Sequence, residues 1–306
     1  QQNYLDYLNL QDTWAYTKGA GVTVAVIDSG IDYDHPEFEG RISEYSYNAS
    51  EDKIVKDYSI AEEFVLPSQG KVYTQKINPV VKLRSMTTEE EMKRLSPSER
   101  QYKNLCDIID DCIVEPIGIS VYDMCIADYQ FLLHKLRIVT YGSEYKVTTQ
   151  CPFCGHTDTY SIDLDSLNVL EYNEEEFKKY SKFMLPNCKQ EVEIRFQTPR
   201  MIDRVNARKK DILKKNPKFE GDPALLLTVC SLIKTLDGKV QDPIKLEQKV
   251  RQMSMADTNK ILQYGMKLNS KIGLQATIPN ICSGCGVDYN TPFRLTSEFF
   301  GPSYDD

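Results

Sequence analysis

Four of the nine cysteines in this 306-residue chain stand in two C-x-x-C pairs, Cys151-Pro152-Phe153-Cys154-Gly155 and Cys282-Ser283-Gly284-Cys285-Gly286. Two residues between cysteines let both thiolates face one ion while the intervening backbone N–H groups turn toward the sulfurs. A trailing glycine relieves the tight turn. Two such knuckles supply the donor set of a tetrahedral site, so Cys151, Cys154, Cys282 and Cys285 are the candidate metal ligands and Zn2+ the expected ion. Four protein ligands leave no open coordination position, which makes the expected zinc structural and not catalytic. The competing reading, a thioredoxin-type redox pair, calls for one motif at a helix start, not two with glycines after them.

The elements that must position these sulfurs are short strands. Residues 145–150 and 157–164 flank the first knuckle as the arms of a zinc-ribbon hairpin, with the ribbon halves expected near 143–164 and 276–292. Cys154 and Cys282 are 128 positions apart, and closing a loop of that length costs roughly 4 kcal/mol. Structural zinc supplies about 10–16 kcal/mol, so the separation is no obstacle. It predicts a helical insertion over residues 165–275, folded between the two halves of the ribbon.

Composition sets the class. With 41% apolar and 27% charged residues the chain has the makings of a globular core, and no apolar run approaches the roughly 18 residues that span a bilayer. No signal peptide is visible, and Gln at position 1 suggests a processed or truncated start. Nine cysteines, all beyond residue 100 and partly in C-x-x-C pairs, fit a reducing compartment better than a disulfide framework. Residues 1–53 carry three bases against ten acids, which accounts for nearly all of the net −8. The near-neutral remainder has no global attraction for nucleic acid. Its one basic cluster, Arg200, Arg204, Arg208, Lys209, Lys210, Lys214, Lys215 and Lys218, lacks interleaved aromatics and reads as a solvated helix face, or as one that meets an acidic partner. A zinc-ribbon nucleic-acid binder stays open as a weaker reading.

The rest of the body is mixed. An apolar strand is expected beside the turn in 64–73, a second over 80–86, and a helix from a capping box at Ser96-Pro97-Ser98-Glu99 through about Val114, with Cys106 and Cys112 in the core. A second helix over 123–141 ends at Gly142 and includes His134 as a packing residue. Four more are expected over 200–215, 223–236, 244–253 and 256–268.

The opening is of another kind. Thr23 to Ile27 has the β-branched, apolar character of a buried parallel strand, and Asp28-Ser29-Gly30 follows at its carboxyl end. VAVIDSGIDYDHPEFEG, with Trp14-Ala15-Tyr16 and Lys18-Gly19-Ala20-Gly21 before it, resembles the aspartate block of the subtilisin-like serine proteases. That resemblance makes Asp28 the triad carboxylate. Of the three histidines, His35 lies inside the block, His134 in a Leu-rich helix and His156 after a knuckle, and none opens a His-Gly-Thr-His pattern. Ser254-Met255-Ala256 is similar to the end of the nucleophile motif, but Gln252 and Met253 replace the Gly and Thr that precede it there. Residues 1–54 therefore read as a partial subtilase-like strand and turn with no enzyme activity. The alternative is a subtilisin-like endopeptidase, as fragment or fusion, using Asp28.

Residues 66–73 (LPSQGKVY), 132–142 (LLHKLRIVTYG), the first knuckle, and the second knuckle followed by Phe299-Phe300-Gly301-Pro302 resemble, in that order, the baseplate hub and hub-assembly proteins of T-even-like contractile-tailed phages. The resemblance covers about residues 60–306 and implies a non-enzymatic tail component with no catalytic residues. Its implied partners are other hub proteins and the tape measure. It implies a place in the virion tail baseplate, reached through the host cytoplasm during assembly. The expected fold class is α+β, with a mainly helical body at 55–306 carrying a four-cysteine zinc ribbon, preceded by the partial α/β segment.

Overall fold

The computed structural model describes residues 61–216, 220–275, 277–292 and 297–300. The chain divides into the units Gln1–Lys56 and Asp57–Asp306, and the second holds everything described below. Asp28, His35 and the segment 1–54 lie outside the described residues.

Among the described residues the unit is α+β, with eight helices and five small sheets. Strand β1 (Ala61–Val65) pairs antiparallel with β2 (Val80–Arg84), Phe64 opposite Val81. Between them the Leu66–Tyr73 stretch is a buried turn, not a continuation of the expected strand, and Gly70 takes φ +73° within it. Helix α1 (Thr88–Leu95) begins at a true capping box, in which Glu90 reaches back to the Thr87 N–H at 2.7 Å. Glu90 also pairs with Arg84 of β2 at 2.7 Å, with both side chains buried. Helix α2 (Gln101–Cys112) follows. The expected box at Ser96 does not form. Ser98 Oγ accepts the Arg100 N–H instead, and the first turn of α2 is satisfied from a distance, by the Asp203 carboxylate accepting the Lys103 N–H at 3.0 Å. Cys106 and Cys112 are fully buried, as expected.

Helix α3 (Ile126–Tyr141) is the spine. Its Leu132 and Leu136 pack in a first core with Val81, Leu83, Ile108 and Ile109, while Ala127 at its start belongs to a second core. Buried Asp128 accepts from Ser68 N at 3.0 Å and Tyr73 Oη at 2.6 Å, pinning the 66–73 turn onto the helix. Gly142 stops the helix at φ +86°. Strands β3 (Glu144–Gln150) and β4 (Thr157–Asp163) then form an antiparallel hairpin.

The chain leaves this region through β5 (Val169–Leu170) and returns through β9 (Gly273–Leu274), and these two strands pair with each other. The second core grows between them from α4 (Glu174–Ser181), β6 (Lys182–Met184), β7 (Glu191–Ile194), α5 (Pro199–Lys215), α6 (Ala224–Leu232), β8 (Ile233–Leu236), α7 (Pro243–Gln252) and α8 (Met255–Ser270). Val192, Ile194, Val229, Leu232, Ile261 and Leu268 are its centre. The expected helix over 223–236 ends four residues early because Ile233–Leu236 pairs with β7 as an edge of the β6-β7-β8 sheet. Gly273 fits where it does because a Cβ there would lie 2.9 Å from Ala127 Cβ. Last come the hairpin β10 (Thr277–Ile281) with β11 (Asp288–Pro292) and a 3-10 turn, Ser297–Phe300. That turn buries Phe299 and Phe300 in the first core, where Phe299 O accepts from Arg137 Nε at 2.9 Å.

Candidate metal centre

Both knuckles are built the same way. In the first, the Cys151 N–H donates to His156 O at 2.8 Å and the Gly155 N–H to Cys151 O at 2.9 Å. In the second, the Cys282 N–H donates to Val287 O at 3.1 Å and the Gly286 N–H to Cys282 O at 2.8 Å. Gly155 and Gly286 adopt φ +74° and +71°, a left-handed conformation that side chains resist. Two-stranded ladders hold each knuckle at its tip, β3–β4 for the first and β10–β11 for the second.

The four sulfurs meet. All lie within 4.8 Å of one another, with Cys151 Sγ 3.8 Å from Cys285 Sγ and Cys154 Sγ 3.5 Å from Cys282 Sγ. A disulfide needs about 2.05 Å, so these are four free thiols facing a common centre. Cys151 and Cys282 are buried, and Cys154 and Cys285 are exposed.

Their protonation is uneven. Burial pushes the Cys151 thiol up, but the Cys154 and Phe153 N–H groups and the neighbouring sulfurs outweigh it and bring it to about 7. The His156 N–H favours the Cys154 thiolate, yet the protons shared with Cys282 and Cys285 push that thiol up to about 12. The Val287 N–H likewise favours the Cys285 thiolate, and Cys285 is nevertheless raised. Four sulfurs at this spacing form a donor set that could hold a metal ion, and binding one would draw the remaining protons off the raised thiols.

Side chains outside the knuckles lock the hairpins together. Asp158 on β4 accepts the Ser283 N–H at 3.1 Å, the Ser283 hydroxyl, and Tyr160 Oη at 3.0 Å, while His156 Nε2 stands 3.3 Å from it. Tyr160 Oη also lies 2.8 Å from Ile281 O, an alternative acceptor for its one proton, and Thr149 Oγ1 meets Tyr289 Oη at 2.7 Å. The His156 ring lies over Gly284, where a Cβ would be 2.9 Å away. The sequence reading missed Asp158, which stands in a polar strand with no spacing signal of its own.

The other candidates are structural. His134 is 1% exposed, stacked 6.4 Å from Phe299, and burial lowers its pKa to about 4. Ser254 caps α8 by accepting the Asp257 N–H at 3.2 Å and bonds the Asp257 carboxylate at 2.9 Å, far from any nucleophile geometry. In the basic cluster, Arg200 pairs with Asp123, Arg208 and Lys215 with Asp211, and Lys209 with Asp222. Arg204, Lys210 and Lys214 also lie on α5, and Lys218 lies outside the described residues.

The chain is thus an α+β body with two knuckles presenting a four-cysteine cluster that could hold a metal ion. The family described as "T4 bacteriophage base plate protein" matches residues 59–301, and this chain belongs to it. The match leaves residues 1–58 outside it. Comparison with curated proteins and with solved structures gives no match.

Proposed function

We propose that the chain is a structural or assembly component of a contractile phage tail baseplate hub, without enzymatic activity, stabilised by one zinc ion on Cys151, Cys154, Cys282 and Cys285. Family membership over residues 59–301 supports the baseplate role and association with other baseplate components. The observation that carries the metal reading is the convergence of four free thiols from positions as far as 134 apart in sequence. Sulfurs at the corners of a tetrahedron about 2.3 Å from zinc sit roughly 3.8 Å apart. Two of the separations, 3.8 and 3.5 Å, lie near that spacing, and all six are within 4.8 Å.

Bound there, zinc supplies charge neutralisation and a covalent clip between two hairpins. Its closed ligand set offers no Lewis-acid position to a substrate. Residues 55–306 are then one baseplate-like body, with ribbon halves near 143–164 and 276–292 around the 165–275 insertion. Its partners are hub and tape-measure proteins, and its site is the virion tail, reached from the host cytoplasm. Residues 1–54 are a partial subtilase-like segment, since no histidine in the sequence opens the His-Gly-Thr-His pattern that would partner Asp28. A fluorophosphonate probe is expected to leave the chain unlabelled, and a labelled serine overturns that part.

Elemental analysis of the purified chain is expected to find zinc at one ion per chain, and Cys282→Ser to abolish it. Full-length protein free of zinc, iron and other metals would sink the metal reading. The baseplate reading is tested in a phage whose copy of the gene is disrupted. Such a phage should yield no complete baseplates until the intact chain is supplied, and normal baseplates without it would overturn the role.

A further inference from the structure

One surface of the inserted region differs from the basic helix α5. Tyr180 at the end of α4, Phe183 on β6 and Tyr264 on α8 form a ring cluster, with Phe183 4.2 Å and Tyr180 5.6 Å from Tyr264. Three lysines stand over it. Lys179 lies 5.3 Å from the Tyr180 ring, Lys260 5.6 Å from Phe183 and 5.4 Å from Tyr264, and Lys267 5.8 Å from Tyr180 and 5.7 Å from Tyr264. Met184, next to Phe183 on β6, and Met266, on α8, are 50% and 73% exposed.

Among the described residues none of these three lysines pairs with a carboxylate. Of the acids on the neighbouring elements, Glu174 pairs with Lys178, Glu176 with Lys271 and Glu191 with Lys182, while Glu175, one turn before Lys179 on α4, makes no ion pair among the described residues. The Tyr180 and Tyr264 hydroxyls make no hydrogen bond to described residues, which leaves two phenol donors beside three ammonium groups. A near-neutral body thus carries three lysines without a carboxylate partner over one aromatic surface, with Lys260 Nζ also donating to Met184 O at 2.9 Å.

We propose that this surface docks an acidic segment of a partner protein, one whose carboxylates meet Lys179, Lys260 and Lys267 and whose apolar side chains lie against Phe183, Met184 and Met266. Charge complementarity selects the occupant. Carboxylates satisfy both the ammonium and the phenol donors, and aromatic and methionine side chains are favoured where a protein partner buries them. Single-stranded nucleic acid is disfavoured, because the lysines cover the ring faces on which bases would stack. This assignment deepens the reading of the chain as an assembly component and is independent of the metal centre.

The test uses the full chain and a fluorescent peptide of alternating glutamate and phenylalanine, with a lysine–phenylalanine peptide and oligothymidine as comparisons. The acidic peptide should bind, weaken with salt, and lose about tenfold or more in affinity in the double variant Lys179→Glu with Lys267→Glu, each reversed charge meeting a carboxylate. Both lysines make only ring contacts, so an unchanged melting temperature with zinc retained shows that the variant is folded. Acidic-peptide binding equal in parent and variant, or tighter binding of oligothymidine or the basic peptide, overturns the proposal. Loss of binding by Cys282→Ser alone, with the lysine variant unaffected, does so as well.

Discussion

Asp158 sits outside both knuckles, yet its carboxylate gathers Ser283 N and Oγ, Tyr160 Oη and His156 Nε2 around the metal centre. Hydrogen bonding to the Ser283 hydroxyl holds that carboxyl below the usual range. Outer-shell groups of this kind are typically worth 10–100-fold in metal affinity. Asp158→Ala should therefore keep the fold but weaken zinc binding by about that factor in competition with a chromophoric chelator. Unchanged affinity would show that the clasp is decorative. His134 makes a second prediction. Burial, aided by the neighbouring Lys135 charge, lowers its pKa from 6.5 to about 4, while Asp165 and the Leu164 backbone push the other way. A base that binds its proton less tightly when folded gives stability that is complete above pH 6.5 and is lost as pH falls toward 4, here about 3 kcal/mol in all. Urea midpoints measured across that window should fall, and His134→Phe should flatten the fall.

Between elements, the buried Arg84–Glu90 pair joins β2 to α1, with Arg84 Nη2 also donating to Asp111 O at 2.8 Å at the end of α2. Burial raises the Glu90 carboxyl, but the Arg84 and Thr87 hydrogen bonds outweigh it and hold the group ionised. Arg84→Met leaves that carboxylate buried without its cation and should cost about 3–5 kcal/mol in chemical denaturation. The double variant with Glu90→Leu should recover much of the loss, since paired apolar replacements remove the uncompensated charge. Equal losses in the single and double variants would mean that Arg84 acts through packing alone.

How far the sequence is legible follows the range of each signal. Helices α5, α7 and α8 are readable because Thr198, Asp242 and Ser254 cap them with local side-chain hydrogen bonds. The first hairpin is readable because strand and knuckle signals are adjacent. Ser96-Pro97-Ser98-Glu99 misleads, because the box motif lies next to a helix that packing starts four residues later, at Gln101, while the true box at Thr87 sits in a charged stretch with little apolar periodicity. Residues Ile233–Leu236 read as helix since the strand exists only by pairing with β7, some forty positions away. The four ligand candidates come from spacing alone, whereas Asp158 acts only across the joined hairpins.

At the scale of the whole molecule, α3 spans two cores, and the β5–β9 ladder clasps the entry and exit of the inserted region. With Gln275 N donating to Asn168 O at 2.8 Å, that ladder holds the two ends of the insertion together, so an ion held by the four cysteines need not bear the whole loop-closure cost. Stripping the metal with a chelator should then raise hydrogen exchange across 144–163 and 277–292 while the strands Glu191–Ile194 and Ile233–Leu236 stay protected. Global loss of protection would show instead that the second core depends on the ion.

The 128 residues separating Cys154 from Cys282 also set a timetable. At 5–20 residues per second, a ribosome exposes the first dithiol roughly 6–26 s before its counterpart emerges. For that interval the nascent chain carries half a chelate, open to oxidants and to softer ions such as copper. Production in cells starved of zinc or under thiol stress should therefore trap misloaded or mixed-disulfide forms made at birth, not by later damage.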